Sequence, residues 1–132
     1  MQPGSRGRHA VAAVLDLAGQ DGSRPVPLVE IARRQDVSVS YLEQIFANLR
    51  RAGLVRAIRG PGGGYLLNRE AQRVAIADIL VAVEGAGRAD GSDRAGAQGG
   101  DALWRALDLH VRDFLRGVTL EDVIEGRISP RS

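Results

Sequence analysis

The 132-residue chain has no cysteine and no lysine, only 4% aromatic residues, and no long apolar run. The lack of cysteine excludes disulfides, thiolate-bound zinc, cysteine-ligated iron–sulfur clusters and thiol redox chemistry in this chain. All 18 basic residues are arginine. The planar donor fork of arginine suits phosphate and guanine, although a genome preferring Arg codons yields the same composition. Scarcity of aromatics means a core built from Leu, Val, Ile and Ala. No apolar stretch approaches the roughly 20 residues of a membrane span. The N-terminal MQPGSRGRH lacks the apolar segment of a secretory signal, so a cytoplasmic location is expected. The two histidines, His9 and His110, have no metal-ligand spacing. No nucleophile elbow or catalytic cluster occurs, so neither a metal site nor an enzyme is expected.

The residues that are present are unevenly distributed. Net charge is +2, yet residues 1–73 hold 11 Arg against 6 acids and residues 74–132 hold 7 Arg against 10 acids. The basic half carries the most informative stretch, SVSYLEQIFANLRRAGLVRAIRGPGGGYLL, from Ser38 to Leu67. Ser38 and Ser40 both suit the start of a helix there. Ser40 with Glu43 matches the S-x-x-E capping box. Leu42, Ile45, Phe46 and Leu49 form its core stripe, and Gly53 suits its end. Short apolar runs at 54–59 and 65–67 then flank Gly60-Pro61-Gly62-Gly63-Gly64, which is the pattern of a hairpin with a longer loop.

Upstream, apolar residues at Ala10, Val11, Val14, Leu15 and Ala18 predict a helix over about 6–18. Pro25-Val26-Pro27 predicts an extended approach, and a short helix follows over 28–35 with Leu28, Ile31 and Ala32 inward. Downstream, a fourth helix is expected over 74–84. The span 85–101, GAGRADGSDRAGAQGGD, reads as a flexible loop. A helix over 102–116 carries Leu103, Leu107, Val111, Phe114 and Leu115 on one stripe, with Trp104 alongside. That stripe serves either as internal core or as a dimer interface, and a helix beyond a loose linker favours the second. Thr119 with Asp122 caps a last short helix to about Glu125.

The expected fold is mainly α: a winged helix-turn-helix with a small β-hairpin wing and a long C-terminal dimerisation helix. The helix can enter a major groove while the hairpin touches backbone or minor groove beside it. Ser38, Ser40, Tyr41 and Gln44 are hydrogen-bonding side chains suited to that end of the helix. Glu43 has two readings, as an acceptor for a cytosine amino group or as half of the capping box. Arg59 at the wing root suits a narrow minor groove. The alternative to DNA binding is a winged helix used for protein association, which weak, salt-insensitive DNA binding would favour.

The stretches SRGRHAVAAVLDLA, PVPLVEIARRQDVSVSYLEQIFANLRRAGLVRAIRGPGGGYLL, AQGG, ALWRAL and FLRGVTLEDV span nearly the whole chain. Together they resemble the Rrf-two winged-helix transcription-factor family, in its IscR-like, iron–sulfur-regulator form. The resemblance implies a DNA-binding regulator, most simply a repressor, working as a homodimer on a pseudo-palindromic promoter. It implies DNA contacts at Ser38, Ser40, Tyr41, Glu43, Gln44, Arg59, Gly60 and Pro61, with Glu43 discriminating between operators. It divides the chain into a DNA-binding part (1–84), a loop (85–101) and a dimerisation part (102–132), with the dimer held by Leu103, Trp104, Leu107, Val111, Phe114 and Leu115. Cluster-binding members carry three cysteines and a histidine in that loop. Here Ala97 stands where they have a cysteine and Asp101 near their histidine, so no cofactor is expected. Two origins fit: a natural cluster-free member, or cysteines replaced at Ala97 and Ala95.

Overall fold

The computed structural model describes residues 5–19, 24–85 and 101–128. Most of the glycine-rich loop, with Ala95 and Ala97, lies outside them. In chain order the elements are α1 (Ser5–Ala18), α2 (Leu28–Gln35), α3 (Val39–Arg51), β1 (Val55–Ile58), β2 (Gly64–Leu67), a 3-10 turn (Ala71–Arg73), α4 (Ile76–Leu80) running into a π-turn (Val81–Gly85), α5 (Asp101–Arg116) and α6 (Leu120–Glu125). The chain is thus mainly helical, with one two-stranded antiparallel hairpin.

The first three helices bury one stripe each against a common core. On α1 the innermost residues are Ala10, Ala13, Val14 and Leu17. Val11, Leu15 and Ala18 flank them, partly buried. This helix therefore buries a wider stripe than the single face expected from its spacing. The predicted stripe of α3 is fully buried at Leu42, Ile45, Phe46 and Leu49. Apolar burial of this kind contributes about 25 cal/mol per Å².

Between α2 and α3 the chain turns sharply. Asp36 adopts a left-handed conformation (φ 58°), and the Val37 N–H donates to Ala32 O at 3.1 Å. These bonds cap the carbonyls that end α2. They leave only Val37 before Ser38, whose Oγ accepts from the Tyr41 N–H at 3.1 Å and starts α3.

Two non-local bridges place the remaining parts. Val26 exchanges backbone hydrogen bonds with Tyr65 at 3.0 and 2.9 Å, so the Pro-Val-Pro segment lies against the wing as a third edge. Near the other end, the Ile76 N–H donates to Val118 O at 2.8 Å and the Leu120 N–H to Val74 O at 2.8 Å. Val74 and Ala75 are thereby held extended, and α4 begins two residues later than its apolar periodicity predicts. Leu120, fully buried, joins the same core as α1 and α3.

Candidate nucleic-acid interface

Ser38, not Ser40, is the N-cap of α3. The structure therefore removes Glu43 from the capping box that the S-x-x-E spacing suggested. Ser40, Glu43 and Gln44 are exposed, and none makes a side-chain hydrogen bond or ion pair with another described residue. They occupy the first turns of α3, the part of such a helix that reaches base edges. Tyr41 differs from them. It is half-buried, and its hydroxyl lies 2.9 Å from Nδ1 of His9 on α1.

The wing is locked to this helix. Phe46 of α3 packs on Tyr65 of β2, with ring centroids 4.7 Å apart, and Asn68 Nδ2 donates to Gly53 O at 3.1 Å across the hairpin base. At the tip, the Gly63 N–H donates to Gly60 O at 2.9 Å, closing a turn on Pro61 and Gly62. Gly62 has φ 75°, the geometry of a Pro-Gly type II turn. Gly64 belongs to β2 rather than to the loop. A Cβ there would stand 2.4 Å from Val26 backbone atoms, so only glycine allows Val26 to bridge the strand. Arg59, Gly60, Pro61 and Gly62 are all exposed.

The arginines fall into two groups. Arg34 clasps Asp16 with two hydrogen bonds, of 3.0 and 2.8 Å, which tie α2 to α1. That hydrogen bond holds its guanidinium above the ordinary arginine value. Arg69 and Arg73 lie 3.9 Å from Asp78 and Glu70 respectively, and Arg51 donates to Asn48. By contrast Arg33, Arg50, Arg56 and Arg59 are exposed and have no carboxylate partner among the described residues. Unpaired guanidinium groups on the wing and on the helices beside it are what a phosphate backbone requires. Sequence reasoning singled out Arg59 alone, because nothing in RR or VR distinguishes a paired arginine from a free one. His9 was considered only as a metal ligand, and no local pattern tells that it meets Tyr41, 32 positions away.

The C-terminal helix presents a different surface. Leu103, Trp104 and Phe114 are exposed by 62, 53 and 45%, while Leu107, Val111 and Leu115 are half-buried. Toward its C-terminal end α5 overhangs an apolar groove of about 610 Å³, walled by Val11, Leu15, Leu80, Val111, Phe114 and Leu115. No helix among the described residues is long and apolar enough to cross a membrane.

Comparison with known proteins fits this geometry. The model of the Rrf2 family, described as an iron-dependent transcriptional regulator, matches residues 4–126. The HTH-type transcriptional regulator IscR of Xenorhabdus nematophila is 46% identical over 131 residues, spanning 93% of this chain and 79% of the relative. IscR of Klebsiella pneumoniae is 44% identical, with the same two shares. Among solved structures, T. potens IscR superposes with a TM-score of 0.77 at 35% identity, covering 96% of this chain and 88% of that one. The oxidised form of Staphylococcus aureus CymR gives 0.76 at 32% identity, covering 93 and 95%. The donors present do not fit a thiolate-held iron centre. The chain has no cysteine, and no group of three His, Cys, Asp or Glu able to hold a metal ion occurs among the described residues. The chain belongs to the Rrf2 family and is a DNA-binding transcriptional regulator.

Proposed function

We propose that this regulator works in the cytoplasm as a homodimeric repressor, reading a pseudo-palindromic promoter site without an iron–sulfur cluster. Residues 1–84 bind DNA, and residues 102–132 hold two copies together across the loop 85–101. On α3, Ser40, Tyr41, Glu43 and Gln44 read base edges, while Ser38 lies at the phosphate side of the helix start. Arg59, Gly60 and Pro61 of the wing lie along the neighbouring minor groove and backbone. The observation that carries this reading is the open edge of Ser40, Glu43 and Gln44, without side-chain partners among the described residues, beside an attached wing whose arginines have no carboxylate partner among them.

The dimer reading rests on self-complementarity. Leu103, Leu107, Val111 and Phe114 recur at spacings of four, four and three along α5, an apolar stripe on one side of the helix. Half of that stripe protrudes and half overhangs the groove. Antiparallel pairing about a two-fold axis lays the protruding Leu103 and Trp104 of each copy over the groove of the other. A two-fold dimer in turn asks for two half-sites related by the same symmetry.

An anisotropy titration against pooled promoter fragments, with competitor DNA at low and physiological salt, tests the reading. Retention of a few fragments at physiological salt by metal-free protein is the expected outcome. Binding that is uniform and vanishes with salt refutes it.

A further inference from the structure

Tyr41 is the one residue of the α3 edge that the protein holds at both ends. Its backbone N–H donates to the cap, Ser38 Oγ, at 3.1 Å. Its hydroxyl lies 2.9 Å from His9 Nδ1, with the two rings edge to face at 89° and 5.3 Å between centroids. Both residues are half-buried, so the pair sits where α1 meets the reading end of α3, at the rim of the open edge. A tyrosine hydroxyl there needs no protein partner for its own sake, because water would satisfy it.

The partner changes what Tyr41 can do. With the imidazole proton on Nε2, the tyrosine O–H donates to Nδ1, and the phenol turns only lone pairs outward. With a proton on Nδ1, that N–H donates to the phenol oxygen, and the O–H is free for a base acceptor. Either way the imidazole fixes the direction in which the phenol is offered. His9 is itself firmly seated. Two residues earlier on α1 the Gly7 N–H donates to Glu84 Oε2 at 3.0 Å, and three residues earlier Arg6 Nε donates to Val83 O at 3.3 Å. Gly7 leaves room for this approach, since a Cβ would stand 2.8 Å from both the Glu84 carboxylate and the Leu80 side chain, and both would have to shift. The start of α1 is thus anchored on the π-turn and carries His9 as a fixed post against the recognition helix.

We propose that His9 is a positioning residue for sequence recognition, acting through the Tyr41 hydroxyl without itself reading a base. The inference rests on α3 being the helix that reads DNA, and the test separates the two. The full chain is first used to enrich its preferred duplex from a randomised pool. That duplex and a scrambled one of the same composition are then titrated with His9→Leu, His9→Asn, Tyr41→Phe and His9→Leu/Tyr41→Phe, with thermal melts alongside. His9→Leu and Tyr41→Phe should each weaken the enriched duplex by about three- to tenfold, the scale of one hydrogen bond. The scrambled duplex should be unaffected, and the double variant should be no weaker than either single one. His9→Asn should recover most of the loss, because asparagine carries a polar atom on Cγ where histidine has Nδ1. Unchanged binding by His9→Leu overturns the proposal. So do losses that multiply in the double variant, or losses that track melting temperature with no rescue by His9→Asn. Glu43→Ala and Gln44→Ala, measured in parallel, give the control. If they too leave preference for the enriched duplex intact, the assignment of α3 has failed. If they abolish it while His9→Leu does not, the role of His9 alone has failed.

Discussion

At the scale of single residues, the sequence displays which side chains are candidates but not which are already engaged. SVSYLEQ offers two serines and a capping-box glutamate, and the local pattern favours Ser40 with Glu43. The left-handed Asp36 decides otherwise, because the tight exit from α2 brings Ser38 to the cap position. Ser38→Ala should therefore cost about 1 kcal/mol of stability, whereas Ser40→Ala and Glu43→Ala should leave the urea midpoint nearly unchanged. Glu43→Ala should instead relax base preference at one operator position while overall affinity persists. A clear destabilisation by Glu43→Ala would return that residue to a structural role. For Arg59 the expectation is different, because a guanidinium on phosphate or in a groove acts mainly through charge. Arg59→Ala should weaken all sequences similarly and lower the slope of log K against log salt by about 1. A changed preference for the core bases of the operator, rather than for its A/T-rich flanks, would show that the wing does not lie where it is proposed.

At the scale of elements, the helix-turn-helix was legible because its signals are local. The stripe of α3, the proline entry to α2 and the Thr119–Asp122 cap were all read from neighbours in sequence. What was not legible depends on distant strands of chain. The start of α4 is delayed because Val118 and Leu120 take the hydrogen bonds of Val74 and Ile76. Gly64 reads as loop, yet it is strand, because the segment at Val26 crosses too close for any Cβ. Gly64→Ala should accordingly destabilise the fold by about 1–3 kcal/mol and weaken DNA binding as the wing shifts, a pair of effects visible by melt and titration together. The cap of α6 yields a prediction in pH. The Asp122 carboxylate accepts the Thr119 N–H at 3.0 Å and lies 3.2 Å from Arg127. The Thr119 hydrogen bonds, aided by Arg127, hold its pKa below the ordinary carboxylate value. A group depressed on folding adds stability that is full above its unfolded value and is lost as pH falls through the folded one. Asp122→Asn should therefore be less stable than the unmutated chain at neutral pH, and the gap should close in acid. Urea melts across that range would show a constant gap if the cap carried no proton linkage.

At the scale of the whole molecule, one sequence builds two surfaces of opposite character, and in the proposed homodimer the symmetry joining the copies sets how DNA is read. The polar face gathers from α3 and the wing, whose joint is fixed by Phe46 on Tyr65. The apolar face gathers along α5 and over α1 and α4, which form the groove. The sequence displayed the α5 stripe but not the groove, since Val11 and Leu15 read as core from their spacing alone. In the single chain Trp104 is 53% exposed, so its replacement should not disturb the fold of one copy. Trp104→Glu tests whether that exposure is filled by a partner. An aromatic side chain at an interface centre contributes about 2 kcal/mol or more, and a two-fold axis counts it twice. The dimer dissociation constant should therefore rise by about a thousandfold. Sedimentation should find the variant monomeric at concentrations where the unmutated chain is dimeric. Its affinity for a single half-site should persist, because α3 and the wing are untouched, while its affinity for the full palindrome and the salt slope on that site should both fall. A variant that stays dimeric and binds the palindrome as before would place the interface elsewhere and leave the α5 stripe without its proposed partner.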